Sequence, residues 1–210
     1  MIRNVIFDFV GVIADLDFKK IYNDLSFKDK ISALRLFVYY KSSHYAQDVF
    51  DAYMTGNMST SMLEYAAKTK NPRYGEILSK LLKDVEKNLI VNKRMLDLIK
   101  EIRSDGTKVY LMSNSTPETE RVMEEYGVRD YFDGVILSTE TGLLKPEEDI
   151  FKYAINQYGL KPHETFFVDD NLKNVFAAED LGFKTIDCTD AEDAFHNVGH
   201  MFYSDYDRIL

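Results

Sequence analysis

The sequence predicts an α/β protein in which helices flank a parallel sheet, with an all-helical segment inserted near the N-terminus. From about residue 92 onward, short runs of β-branched and aromatic residues alternate with stretches of helical periodicity, as in βα units. Residues 16 to about 90 lack strand-like alternation and carry apolar residues at helical spacings. We therefore predict a core formed by residues 1–15 and 91–210, and a helical insert formed by residues 16–90.

Five short segments predict the strands of the sheet, and turn residues bound the four that follow the helical insert. They are residues 5–9, 108–112, 134–138, 165–169 and 184–187. Apolar stripes predict crossover helices around residues 95–102 and 150–158. Thr116 and Pro117 suit the N-cap and first position of another helix, and Gly182 follows a helix that begins near Leu172.

Composition and charge exclude several classes of protein. The chain has a net charge of −9 and therefore lacks the excess of Lys and Arg that favours nucleic-acid binding. No nucleic-acid partner is expected. Cys188 is the single cysteine, so an intramolecular disulfide is excluded. We expect its side chain to be a small buried apolar group, and the low cysteine content suits a reducing compartment. No apolar run approaches the length of a membrane span, and the N-terminus lacks the apolar region of a signal peptide. We expect a cytoplasmic protein with no membrane partner.

Polar side chains lie at the end of, or after, four of the predicted strands. They are Asp8 at the end of the first, Ser113 and Asn114 after the second, Lys145 after the third, and Asp169 and Asp170 at the end of the fourth. Because ligands collect at the carboxyl ends of parallel strands, we expect these side chains to converge. Converging carboxylates repel one another unless they share protons or bind a hard cation such as Mg²⁺. A hydroxyl, an amide and a lysine beside that cation would form a phosphate site.

The chain resembles the haloacid dehalogenase-like (HAD) hydrolases, and within them the sugar-phosphate phosphatase-like branch that carries a helical cap after the first motif. Four segments resemble the four family motifs in order: IFDFVGV, YLMSNS, GLLKPEEDIF and FFVDDNLKNVFAAEDLG. The resemblance covers essentially the whole chain. It implies a Rossmann-like parallel sheet core flanked by helices, with the helical insert as an all-helical cap.

The resemblance also implies a chemistry. The expected activity is that of a Mg²⁺-dependent phosphatase, which hydrolyses a small phosphorylated metabolite such as a sugar phosphate through an aspartyl-phosphate intermediate. Asp8 would be the nucleophile, and Ser113, the Asn114 amide and Lys145 would bind the phosphate oxygens. The implied Mg²⁺ ligands are Asp8, the backbone carbonyl of Val10, Asp169 and Asp170.

Val10 departs from the family pattern, which usually has a second aspartate two residues after the nucleophile. That aspartate serves as general acid for the leaving group and as general base for the attacking water. Its loss typically costs ~10²–10⁴ in rate, so an attenuated enzyme is the expectation. Asp15 is the one replacement acid worth testing, although Asp15 and Asp17 both suit caps of the first insert helix.

Two other functions stay open at this stage. One is a non-catalytic HAD protein that binds a phosphorylated metabolite, and the other is a 2-haloacid dehalogenase, whose carboxylate substrate the Asp169–Asp170 pair would repel. A phosphonatase would need a lysine in the insert, but no motif surrounds Lys41 or Lys68. His196 and His200 have metal-ligand spacing without a third ligand, which favours a surface helix end.

Overall fold

The computed structural model describes residues 2–203 and contains a five-stranded sheet in which all neighbouring strands are parallel. The strands are β1 (Asn4–Phe7), β4 (Lys108–Ser113), β5 (Gly134–Leu137), β6 (Thr165–Asp169) and β7 (Lys184–Asp187). Their spatial order is β5-β4-β1-β6-β7, with β1 at the centre. The predicted α/β class is confirmed, and the carboxyl ends of β1, β4 and β6 lie side by side.

Helices cover both faces of this sheet because successive strand residues point in opposite directions. Val5 and Phe7 belong to one apolar cluster and Ile6 to another, so the sheet separates two cores. The helices of this part of the chain are α6 (Lys93–Ser104), α7 (Pro117–Glu125), α8 (Ser138–Thr141), α9 (Glu148–Tyr158), α10 (Leu172–Asp180) and α11 (Ala191–Phe202). The architecture is a three-layer α/β/α sandwich.

Local sequence sets the ends of these helices as predicted. Thr116 is the N-cap of α7 and Pro117 its first residue, and the side chain of Thr119 completes a reciprocal capping pair with Thr116. Gly182 follows α10 with a φ of 87°. Three strands differ from their predicted bounds: β1 covers Asn4–Phe7 and not residues 5–9, β4 continues by one residue to Ser113, and Ser138 does not extend β5 but begins α8. Its hydroxyl donates to the carbonyl of Met54 in the helical insert, at 2.7 Å.

The helical insert contains five helices: α1 (Phe18–Asp24), α2 (Phe27–Ser42), α3 (His44–Met54), α4 (Thr60–Lys70) and α5 (Pro72–Asn88). Two short strands that the sequence analysis missed, β2 (Ala14–Leu16) and β3 (Leu89–Val91), pair antiparallel where the chain enters and leaves these helices. The pair brings the two ends of the insert together. The division of the chain into core and cap domains stays a prediction.

A buried carboxylate joins the helical insert to the sheet region. Glu118, in the first turn of α7, is 2% exposed and accepts a short hydrogen bond from the hydroxyl of Tyr53, which is fully buried in α3. Thr60 and Arg121 donate to its other oxygen, each at 3.2 Å. Because a buried carboxylate is costly unless paired, these contacts fix α3 and α4 against α7.

No described helix combines the length and apolar character that crossing a membrane requires.

Candidate active site

The ammonium group of Lys145 lies at the centre of the residues predicted to form the site. Its Nζ is 2.8 Å from Asp8 Oδ1, 2.7 Å from Asp169 Oδ2 and 3.0 Å from the carbonyl oxygen of Met112. An ammonium group has three protons, so each has an acceptor. The Lys145 side chain is 1% exposed, which contradicts a solvated surface lysine.

Asp169 is fully buried and is held from several directions. Its Oδ1 accepts from the backbone N–H of Asn171 at 2.8 Å, and Asn174 Nδ2 lies 3.0 and 3.1 Å from its two oxygens. Together with Lys145, these donors fix the carboxylate in one orientation. Asn174 therefore positions Asp169.

Three carboxylates converge at this point. Asp8, Asp169 and Asp170 each offer an oxygen, and these oxygens lie within 4.8 Å of one another. Against three negative charges the site supplies one positive charge, that of Lys145. Oxygen ligands with excess negative charge suit a hard divalent cation, so the residues present fit Mg²⁺.

The pKa values reflect this crowding. Burial raises the pKa of Asp8 to about 7, against the lowering effect of Lys145. Desolvation and the charge of Asp169 raise the pKa of Asp170. Burial alone would lower the pKa of Lys145, but the charges of Asp8 and Asp169 outweigh burial and raise it. Lys145 is therefore protonated, and the carboxylates repel one another in the absence of a cation.

The loop after β1 brings Asp170 close to Asp8. Gly11 has a φ of 91°, and a Cβ atom at this position would lie 2.3 Å from Cγ of Asp170. Only glycine combines this backbone conformation with so close an approach. The contact of this glycine with Asp170 was not predicted from the sequence, because the two residues are distant in it. Val10 packs its partly buried side chain against the apolar core and pairs with Ala14.

Ser113 and Asn114 stand at the end of β4, beside the segment that carries Lys145. Ser113 is 2% exposed and is the last residue of the strand. Asn114 Nδ2 donates to the carbonyl of Lys145 and its Oδ1 accepts from the N–H of Lys145, both at 2.8 Å. The Lys145–Pro146 peptide is cis. The reciprocal amide pair ties the predicted phosphate-binding loop to the lysine.

Asp15 and Asp17, the two candidate caps of the first insert helix, both have structural contacts. Asp17 caps α1 through a 2.8 Å bond from the N–H of Lys20, as expected. Asp15 does not cap α1; its carboxylate accepts from the N–H of Ala191 at 3.2 Å, at the start of α11. Asp15 also contributes to raising the pKa of Asp170, after the larger effects of burial and Asp169. Its use as a replacement acid stays a prediction.

Residues with weaker signals are not members of this carboxylate cluster. Cys188 is buried, as predicted, and burial raises its thiol pKa. His196 Nε2 lies 3.4 Å from Glu192 Oε1 on α11. Lys41 lies over the rings of Phe37 and Tyr40 in the insert, with its Nζ 5.6 Å from each ring centre.

The arrangement can bind and transfer an anionic group. A buried carboxylate, an ammonium and a set of cation ligands meet at the edge of a sheet, where the helix α10 also begins with its N–H groups. A phosphate dianion can approach Asp8 only if positive charge offsets a repulsion of ~4 kcal/mol per like-charged pair at ~4 Å. Lys145 and a bound cation supply that charge.

Comparison with known proteins agrees with this geometry. The family model of haloacid dehalogenase-like hydrolases matches residues 2–182. A D-ribitol-5-phosphate phosphatase of Bacteroides thetaiotaomicron is 30% identical over 197 residues, covering 88% of this chain and 91% of that protein. A sesquiterpene phosphatase of Aspergillus oryzae is 34% identical over 99 residues, which are 47% of this chain and 50% of that protein.

Solved structures show the same fold. A HAD-like hydrolase from Porphyromonas gingivalis superimposes with a TM-score of 0.75 at 25% identity, covering 97% of this chain and 98% of that one. A HAD family enzyme from B. thetaiotaomicron, in complex with magnesium and inorganic phosphate, has a TM-score of 0.71 at 25% identity and covers 89% and 94% of the two chains. Because the family model matches most of the length of this chain, the chain is a hydrolase that belongs to the haloacid dehalogenase-like family.

Proposed function

We propose that this protein is a Mg²⁺-dependent phosphatase that acts on a small phosphate ester through Asp8. The observation that carries the proposal is the buried Lys145, which lies 2.8 Å from Asp8 and 2.7 Å from Asp169 in a cluster of three carboxylates. This cluster would bind Mg²⁺ through Asp8, Asp170 and the carbonyl of Val10, with Asp169 as a further candidate ligand. Support comes from the magnesium and phosphate complex of the similar enzyme from B. thetaiotaomicron.

In the proposed first step, a carboxylate oxygen of Asp8 attacks the phosphorus atom. The new bond forms an aspartyl phosphate, while the bond from phosphorus to the ester oxygen breaks and the leaving alcohol takes up a proton from solvent. Lys145, Ser113 and the Asn114 amide would hold the phosphate oxygens, and bound Mg²⁺ would supply charge stabilisation. In the second step, water attacks the phosphorus and loses a proton to solvent, while the bond from phosphorus to the Asp8 oxygen breaks, which releases inorganic phosphate and regenerates the Asp8 carboxylate.

Val10 offers no proton in either step. Phosphoryl transfer to Asp8 then depends on the leaving group, and the attack of water proceeds without the usual base. We therefore propose that the second step is slow and that good leaving groups are favoured. Positioning and charge stabilisation by Asp8, Lys145 and the cation do not depend on residue 10, so activity persists at a reduced rate.

We propose a sugar or sugar-alcohol phosphate as the substrate class, with the helical insert acting as a cap that encloses it. The similar phosphatase named for D-ribitol 5-phosphate, which aligns over 88% of this chain, supports this class. The net charge of −9 disfavours large polyanions as substrates. A dehalogenase is less well supported, because the acid cluster would repel a halogenated carboxylate and dehalogenase structures with 17% and 18% identity share the fold alone.

A panel of phosphorylated metabolites, assayed with Mg²⁺ and with excess chelator, tests the proposal. We expect Mg²⁺-dependent phosphate release that is greatest for sugar or polyol phosphates and is lost in Asp8→Asn. Preferential turnover of a phosphopeptide would contradict the substrate class. If every ester is inert while inorganic phosphate binds in the presence of Mg²⁺, the chain is the non-catalytic binding protein considered above.

A further inference from the structure

The helix α2 has two apolar faces, and only one of them packs inside the molecule. On the inner face, Leu36 and Tyr40 line an apolar cavity of 230 Å³ between the insert helices. On the same side, Asp29 pairs with Lys80 of α5 at 3.1 Å, and the ring of Tyr39 stacks on Tyr74 at 5.8 Å between centres. These contacts with α3 and α5 orient the helix.

The outer face of α2 carries an apolar stripe with no cover among the described residues. Phe27, Ile31, Leu34 and Val38 follow a 4-3-4 spacing, which at 100° per residue places them within a narrow arc. Their exposed fractions are 78%, 37%, 62% and 55%. No residue of α2 is fully buried. Exposed rows of large apolar side chains of this kind mark binding surfaces in soluble proteins.

Cations border the stripe on both sides. By the same helical geometry, Lys30 and Lys41 lie along one edge, and Lys28 and Arg35 lie along the other. Within the described part of the chain, none of these four cations forms a salt bridge with a carboxylate. Arg73 and Lys80, by contrast, both form salt bridges with Asp29. Residues 18–42 contain six Lys and Arg against two Asp, a net charge of +4 in a chain of net −9.

The helix α1 extends this surface. Phe18 and Tyr22, one turn apart, are 70% and 59% exposed. Lys30 of α2 lies over the Tyr22 ring, with its Nζ 4.5 Å from the ring centre, so α1 and α2 present their aromatic and cationic groups together. We call the apolar side chains of residues 18, 22, 27, 31, 34 and 38, with the four flanking cations, the basic-apolar surface.

Charge decides which partner fits this surface. A second copy of the chain packed on the stripe would place cations against cations in either a parallel or an antiparallel orientation, because both edges are basic. A protein partner would need a groove to receive a single convex helix. The interfacial layer of an anionic bilayer accepts exposed Phe, Leu and Val side chains and attracts flanking Lys and Arg.

We propose that the basic-apolar surface docks this protein on a membrane that contains anionic phospholipid. Docking at the interface needs no membrane-spanning segment, so it differs from the mode of attachment that the sequence analysis excluded. It departs from the sequence-based expectation that the protein has no membrane partner. The proposal does not rest on the proposed phosphatase function, because binding is measured without substrate.

Vesicle co-sedimentation tests the proposed membrane docking directly. We expect the full chain to bind vesicles of phosphatidylcholine mixed with phosphatidylglycerol, and to bind pure phosphatidylcholine far more weakly, with affinity falling as salt is added. Removing two flanking cations in the double variant K28Q/R35Q should weaken binding about 25-fold, since each basic residue contributes about fivefold. The double variant F27S/L34S should weaken binding to the same vesicles by removing apolar contact.

A matched control uses an exposed residue elsewhere. Phe176 on α10 is 57% exposed, so F176S removes a similar apolar side chain outside the surface and should leave vesicle binding unchanged. The absence of binding to anionic vesicles would overturn the proposal, as would equal losses in F27S/L34S and F176S. Light scattering that shows a dimer dissociated by F27S/L34S would assign the stripe to a second copy instead. Binding to an acidic amphipathic peptide but to no vesicle would assign it to a protein partner.

Discussion

Lys145 Nζ lies 2.8 Å from Asp8 Oδ1, and each proton of this ammonium group has an acceptor among Asp8, Asp169 and Met112. To bind a phosphate oxygen, Lys145 must direct a proton away from one of these acceptors. In the proposed reaction Lys145 gives up its hydrogen bond to Asp8, and the freed Asp8 oxygen forms the bond to phosphorus. The ion pair therefore holds the nucleophile in position before the substrate arrives.

Replacing this lysine should destabilise the fold as well as abolish activity. Lys145→Met leaves the carboxylates of Asp8 and Asp169 buried without their cation, and we expect a loss of about 3–5 kcal/mol in the free energy of unfolding. Lys152→Met is the matched control, because Lys152 pairs with Glu148 on an exposed helix face and should cost about 0–1 kcal/mol. Denaturant titration of both variants measures the difference, and equal costs would contradict the buried pair.

Gly11→Ala should damage the metal site. The new Cβ would lie 2.3 Å from Cγ of Asp170, so this carboxylate must move, and we expect Mg²⁺ affinity to fall about 10- to 100-fold. Gly106→Ala is a close control, because Gly106 has a φ of 92° but no atom within 4 Å of the added Cβ. Both variants carry the backbone strain of about 1–2 kcal/mol. Calorimetric titration with Mg²⁺ would contradict the account if the two variants bound the ion equally well.

Tyr53→Phe should loosen the contact between the helical insert and α7. Burial, and then the hydrogen bond to Glu118, raise the pKa of Tyr53, so its hydroxyl stays protonated and donates. Removing the hydroxyl leaves one oxygen of a buried carboxylate without its donor, which should cost about 1–3 kcal/mol. Tyr203→Phe removes an exposed 3.0 Å bond to Asp105 and should stay within about 0.5 kcal/mol of the unaltered protein. Similar unfolding free energies for both variants would show that Glu118 finds another donor.

Val10→Asp should raise turnover, most strongly for poor leaving groups. The new carboxyl would restore the acid and base that the family pattern usually supplies, a contribution of ~10²–10⁴ in rate. Val10→Asn controls for size and polarity without a proton to exchange. Steady-state kinetics on p-nitrophenyl phosphate and on an alkyl phosphate measure the effect. Equal gains in both variants would mean that polarity at residue 10, and not proton transfer, limits the reaction.

The main sheet was predictable because each strand is a short apolar run between turn residues. The predicted strands at 165–169 and 184–187 coincide with β6 and β7, and Asp169 ends β6 as expected. The convergence of Asp8, Lys145 and the acid pair followed from the geometry of parallel strands, since polar residues after adjacent strands share one edge.

Other features were beyond the reach of sequence patterns. The strands β2 and β3 have three residues each, too few to show alternation. The burial of Glu118 depends on Tyr53, 65 positions away, and local rules place a glutamate at the surface. Asp15 and Asp17 look equivalent in the sequence, yet only Asp17 caps α1, because pairing with β3 places Asp15 near α11.

The central claim is that Asp8 carries the phosphoryl group during turnover, and mass spectrometry of rapidly quenched protein tests it most directly. With p-nitrophenyl phosphate and Mg²⁺, we predict a burst of p-nitrophenol and a phosphoryl adduct on the peptide that contains Asp8. The adduct should be absent in Asp8→Asn and when Mg²⁺ is chelated. Turnover with the adduct on another residue, or turnover that continues unchanged in Asp8→Asn, would contradict the account.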